Sequence, residues 1–134
     1  GEKFQMEKQI DESLLEVHVP RLIIQPIVEN AVEHGMDITK CGKISIHVYS
    51  VIKEKQLIVI DVEDNGVLTE EESEKIYQLL NNTQEPDKEK RVSLGIRNVD
   101  QRLKIIYGDS CGLEIFSNEE NHTVSRLTFY RIEQ

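Results

Sequence analysis

Basic clusters are what this chain most clearly lacks. It carries 16 lysines and arginines against 25 aspartates and glutamates, a formal net charge of −9, and no basic run longer than two residues. Nucleic acid, which is gripped through its phosphates by a cationic footprint, is therefore excluded as a partner on bulk charge. An anionic membrane surface is excluded in the same way. Any anionic ligand must be held by a local site against the field of the whole chain. Cysteine is scarce too. Cys41 and Cys111 show neither CxxC nor Cys/His spacing, which excludes a disulfide scaffold and leaves two free thiols as the expectation. No apolar run approaches the ~20 residues of a membrane span, and no signal peptide opens the chain. Repeats and low-complexity tracts are also missing. Gly1 stands where an initiator Met would, so we expect an excised domain with its flanks removed.

Apolar residues, by contrast, are plentiful: Ile, Val, Leu and Phe supply 42 of the 134 positions. That is too many for a disordered segment and fits one compact domain with its own core. Residues 3–8 suit a short edge strand, followed by a loop containing Asp11, Glu12 and Ser13. Pro20 suits a helix start. From Leu22 to His34, the residues Ile23, Ile27, Asn30 and His34 share one stripe at helical spacing, and Gly35 reads as the stop. Pro26 inside that stretch predicts a kink or a tight first turn. Residues 43–51 and 57–63 alternate, with Ile44, Ile46 and Val48, then Ile58, Ile60 and Val62, each on one face. A polar turn at 53–56 joins them as an antiparallel pair.

Thr69-Glu70-Glu71-Glu72 spells a capping box opening a helix with Ile76, Leu79 and Leu80. Residues 81–92, polar and broken by Pro86, read as a mobile loop. A third helix is predicted from about Gly95 to Tyr107, with Ile96, Val99, Leu103 and Ile106 inward and Gly108 as C-cap. Strands near 112–117 and 123–131 close the chain across the turn 118–121. The fold class expected from this order is α+β, a two-layer α/β sandwich: an antiparallel or mixed sheet with three helices on one face.

Three segments can carry chemistry. In Glu29-Asn30-Ala31-Val32-Glu33-His34-Gly35, Asn30 and His34 sit one turn apart on the inward stripe. A buried amide left unpaired costs ~1–3 kcal/mol, so Asn30 needs a partner. Magnesium, which prefers oxygen ligands, is one; a loop carbonyl is another. In Val62-Glu63-Asp64-Asn65-Gly66, Asp64 is a carboxylate ending an apolar row, a costly placement unless a donor meets it. A nucleobase amino group is one such donor. The alternative is a solvated Asp in an Asn-Gly hairpin turn, which the helix signal at Thr69 disfavours. Last, Lys88, Lys90 and Arg91 lead into Ser93-Leu94-Gly95-Ile96-Arg97-Asn98. There a helix N-terminus offers backbone N–H groups to an anion, or simply follows a surface loop.

Taken in order, these strings resemble the ATP-binding domain of sensor histidine kinases, in the GHKL ATPase superfamily, and more narrowly its LytS/YesM-like branch. Pro20 to Gly35 (PRLIIQPIVENAVEHG) is similar to that branch's N box, Asp64-Asn65-Gly66 to the start of its first glycine box, and Leu94 to Gly108 (LGIRNVDQRLKIIYG) to its second glycine box and following helix. The resemblance covers nearly the whole chain. It implies the Bergerat fold, a mixed, mostly antiparallel sheet covered by helices, with ATP and Mg²⁺ as cofactors, over a single domain spanning 1–134 with an ATP lid at about 84–94. It further implies that Asn30 holds Mg²⁺ through its amide oxygen, that Asp64 accepts from the adenine amino group, and that Gly66 lets backbone approach the base. Leu94 and Gly95 would lie against the phosphates and Thr123 near the adenine, with His34 also among the nucleotide-site residues. Glu29 is the candidate catalytic residue, polarising a water or the attacking imidazole.

Leu68, Ser93 and His122 depart from the family's glycines, and Glu33 from a frequent Lys. None of His18, His34, His47 and His122 lies in a dimerisation helix ahead of the domain. The phosphoacceptor domain is therefore expected to lie outside this chain, which alone would be incomplete for phosphotransfer. The resemblance thus implies a protein-histidine kinase catalytic domain, presenting the γ-phosphate of ATP to a histidine on a separate helical domain. Downstream would stand a response regulator. The parent would be a homodimer anchored in the bacterial membrane, with this domain cytoplasmic. Two alternatives remain open: a degenerate docking module of the same fold without turnover, and another GHKL ATPase or serine kinase.

Overall fold

The computed structural model describes residues 3–15, 21–38, 41–81 and 91–131. Strand β1 (Lys3–Ile10) is followed by a 3₁₀ turn (Glu12–Leu14), α1 (Arg21–Ile38), β2 (Cys41–Lys53), β3 (Lys55–Asp64), α2 (Glu70–Leu80), α3 (Arg91–Tyr107), β4 (Gly112–Ser117) and β5 (Thr123–Tyr130). The five strands form one sheet in the order β1-β2-β3-β5-β4. Only β1 and β2 run parallel; the other three pairings are antiparallel. This is the expected mixed, mostly antiparallel sheet.

Alternation along the strands decides which face is buried. Ile44, Ile58, Ile60, Val62, Leu113, Leu127 and Phe129 form one core with Ile23, Ile27 and Ala31 of α1, Leu79 of α2, and Ile96, Val99 and Leu103 of α3. Each such side chain removed from water contributes roughly 1.5–3 kcal/mol, so this shared layer is what welds the helices to the sheet. The opposite face carries a polar ladder. Arg126 donates to both oxygens of Asp61 at 2.8 and 3.0 Å, and Tyr49 donates to Asp61 at 3.2 Å. The Arg126 guanidinium also lies 4.9 Å from the Phe116 ring centroid.

Several boundaries differ from the sequence expectation. α1 does not stop at Gly35 but runs to Ile38. The loop between β2 and β3 shrinks to Glu54, which takes the left-handed conformation (φ 57°), so both strands extend towards it. α3 begins at Arg91 rather than Gly95. The reason lies in packing: a Cβ on Gly95 would stand 3.2 Å from the Pro26 Cβ, so this bare backbone marks the close approach of α3 to α1, not a helix boundary. Residues 91–94 of the expected lid are thus in the first turn of α3, while 82–90, like Pro20, lie outside the described residues. Ile106, expected inward, is 50% exposed. Tyr107 takes that place and packs on Phe129 with ring centroids 5.4 Å apart. Gly108 follows with φ 107°, as a helix C-cap requires.

Candidate functional site

Sheet register brings the first candidates together. Asp64, the last residue of β3, pairs with Ile44 on one side and Thr123 on the other. Its parity with Ile60 and Val62 directs it under the helices, where it is 1% exposed and Thr123 2%. The chain then turns back on itself. Asn65 continues the pairing with Lys43 through two hydrogen bonds, its N–H to the Lys43 carbonyl at 3.2 Å and its side-chain oxygen to the Lys43 N–H at 3.0 Å. Gly66 donates its N–H to Asp64 Oδ1 at 2.8 Å and accepts from the Thr123 hydroxyl at 2.8 Å. A Cβ here would lie 2.9 Å from Asp64 Oδ1, His34 Nδ1 and the His34 carbonyl oxygen, so the position excludes any side chain. The Asn-Gly pair is therefore not a hairpin turn; it leads into α2, whose Thr69–Glu72 capping box is fully formed.

The donor that meets Asp64 comes from α1. His34 Nδ1 lies 2.9 Å from Asp64 Oδ1, and Nε2 lies 3.1 Å from the Val67 carbonyl and 3.4 Å from Glu72 Oε2. The hydrogen bond to Asp64 raises the histidine pKa above its ordinary value, against the opposing effect of burial, with the charges of Asp64 and Glu72 and the Val67 carbonyl adding to the rise. Spacing placed both His34 and Asp64 on inward faces, but nothing in the sequence pairs two residues 30 positions apart. That His34 is Asp64's partner was the feature sequence reasoning missed. Asp64 Oδ2 has no hydrogen-bond partner among the described residues.

The other candidates lie elsewhere on α1 and α3. Asn30 is half-buried one turn before His34, and among the described residues its amide has no hydrogen-bond partner. Glu29 is exposed and accepts from the Gln25 amide at 3.0 Å. Glu33 is exposed as well, and Leu68 half-buried. Gly95 faces Pro26 in the second turn of α3; the side chains of Ser93 and Leu94 lie outside the described residues. His122 makes no hydrogen bond to Asp64 or His34 among the described residues. Its ring turns to the other face of the sheet, with Nδ1 2.9 Å from Glu63 Oε2 and 3.7 Å from Glu120 Oε2. Glu63, Glu120 and His122 are the one group among the described residues whose donor atoms, all within 4.8 Å, could share a metal ion. They back onto the site rather than line it. Cys111 is a buried free thiol whose pKa burial raises. No helix of the described residues is long and apolar enough to cross a membrane.

Comparison with known proteins bears on this geometry. The model of histidine kinase-, DNA gyrase B-, and HSP90-like ATPases matches residues 17–131. The sensor histidine kinase BtsS of Escherichia coli is 29% identical over 122 residues, covering 90% of this chain and 18% of that protein. The sensor protein LytS of Oceanobacillus iheyensis is 26% identical over 124 residues, covering 91% and 20%. The sensor histidine kinase YesM of Bacillus subtilis is 27% identical over 123 residues, covering 91% and 19%. The chain thus spans about a fifth of the length of the curated relatives it matches. Among solved structures, the catalytic domain of histidine kinase ThkA superposes with a TM-score of 0.62 at 20% identity, covering 98% of this chain and 81% of that one. The histidine kinase domain of the Erythrobacter litoralis blue-light activated kinase gives 0.61 at 16% identity, covering 96% and 52%. At those identities the likeness is one of fold.

Proposed function

Because the chain belongs to the family of histidine kinase-, DNA gyrase B-, and HSP90-like ATPases, we propose that it binds Mg-ATP and presents the γ-phosphate to a histidine on a separate helical domain of a sensor kinase. The observation that carries this reading is Asp64. A carboxylate 1% exposed, with Oδ1 held by two donors and Oδ2 by none among the described residues, is an acceptor kept for an incoming donor. The exocyclic amino group of adenine supplies that donor; guanine presents a carbonyl there and is refused. Gly66, whose missing Cβ leaves backbone bare, and Thr123, which fixes the Gly66 carbonyl, shape the adjoining wall. His34 is the third member of this wall.

Asn30 fits a magnesium ligand, since its half-buried amide has no partner among the described residues and its oxygen suits that hard cation. When bound, Mg²⁺ neutralises phosphate charge, which an acidic chain with Glu33 exposed beside the site cannot do alone. Leu94 and Gly95, in the first two turns of α3, are assigned to the phosphate side, and the part of the expected lid before α3, residues 84–90, to a lid. Glu29, exposed and held by Gln25, is assigned the role of orienting the attacking imidazole. Positioning and charge neutralisation supply the rate in such a transfer, because little covalent chemistry is asked of the protein. The phosphoacceptor domain, a response regulator and a membrane-anchored homodimeric parent complete the proposal.

The rival reading, a docking module without turnover, drew on side chains replacing glycines. His122 no longer supports it, as its ring lies on the far face. Asn30→Ala tests the assignment: nucleotide binding should lose its magnesium dependence and fall at least tenfold in calorimetry. Unchanged affinity would remove Asn30 from the metal.

A further inference from the structure

We propose that His34 is a positioning residue that acts as a doubly protonated imidazolium, clamping Asp64 Oδ1 so that Oδ2 alone remains to read the base. The proposal rests on the nucleotide reading above and adds to it the device that sets adenine specificity. Among the described residues, every group that faces the ring nitrogens is an acceptor: the Asp64 carboxylate at Nδ1, and the Val67 carbonyl and Glu72 carboxylate at Nε2. A neutral imidazole has one N–H, so one nitrogen would turn its lone pair on an acceptor; the imidazolium satisfies both sides. Among the described residues, the charged groups around the ring come from two elements, Asp64 ending β3 and Glu72 in the first turn of α2, and both are acidic. The direction in which His34's pKa moves agrees.

Oδ1 is the oxygen the ring takes, and Gly66 takes the same one through its N–H. Two donors on one oxygen fix the rotation of the carboxylate and make its other oxygen the open acceptor. The ring's far nitrogen meanwhile ties residues 67 and 72 to α1. Glu72 divides its oxygens between the two tasks, Oε1 to the Thr69 cap and Oε2 towards His34. One charged ring therefore joins the helix bearing Asn30, the carboxylate bearing Oδ2, and the turn bearing Gly66.

The test uses the whole chain, nucleotide-free and then titrated. Nitrogen-15 spectra of the imidazole, followed as pH rises above the ordinary histidine value of ~6.5, should show His34 keeping both nitrogens protonated where the same residue in the urea-unfolded chain is already neutral. A single neutral tautomer in the folded chain would overturn the proposal. In a second arm, His34→Gln keeps an amide donor but no charge. It should bring the ratio of ATP to GTP affinity at least tenfold closer to one, whereas a structural ring would weaken both nucleotides alike. A His34→Gln chain that folds and retains the wild-type ratio would also overturn it. If the wild-type ring is doubly protonated but ATP does not bind, the nucleotide reading fails and not the ring's protonation. If ATP binds with preference while the ring is neutral, the clamp fails alone.

Discussion

A carboxylate ending an apolar row must be met by donors, and at Asp64 the donors are an imidazole from α1 and the N–H of its own turn. That contact has a consequence for stability. The folded state holds the His34 proton more tightly than the unfolded chain does, because its pKa is raised on folding. The stabilisation is therefore complete below the ordinary histidine value of ~6.5 and is lost as pH climbs through the raised one. Urea denaturation across that window should show the wild type losing stability with rising pH, and His34→Gln losing less. Parallel slopes in the two proteins would contradict this. Residue types and parity made Asp64, Asn30 and His34 legible as candidates. The contact between His34 and Asp64 was not, because it depends on the register of β3 and the way α1 crosses it, neither of which is written locally.

Among the elements, the strands were legible to within two residues at each end, since two-residue alternation has one solution when a single face is buried. Helix ends were less so, for a physical reason: glycine stops a helix by leaving it, but also serves inside one where another chain must come close. Gly35 and Gly95 are both interior, and Gly95 admits Pro26. Asp100 escaped notice altogether, although it is 2% exposed. It lies on the arc of Ile96 and Leu103, accepting the Leu113 N–H at 2.9 Å and the Lys104 ammonium at 2.8 Å. It thereby fastens α3 to the start of β4. Asp100→Ala leaves a buried N–H without a partner and should cost about 1.5–3 kcal/mol in chemical denaturation. A loss within experimental error would show that water replaces the carboxylate.

At the scale of the whole molecule, helices cover one face of the sheet, and the proposed nucleotide site centres on Asp64 at the end of β3, where His34 of α1 meets it. The other face carries the Asp61–Arg126 pair and the His122 cluster. A net charge of −9 opposes a triphosphate at long range, and a chain of this sign binds one only if a cation and a few local donors offset the repulsion. Calorimetric titration of the chain with ATP and with GTP, each with and without magnesium, tests the central claim most directly. The account predicts saturable ATP binding with magnesium, binding at least tenfold weaker without it, and no comparable heat from GTP. Equal affinities for ATP and GTP, or no ATP binding with magnesium present, would contradict it.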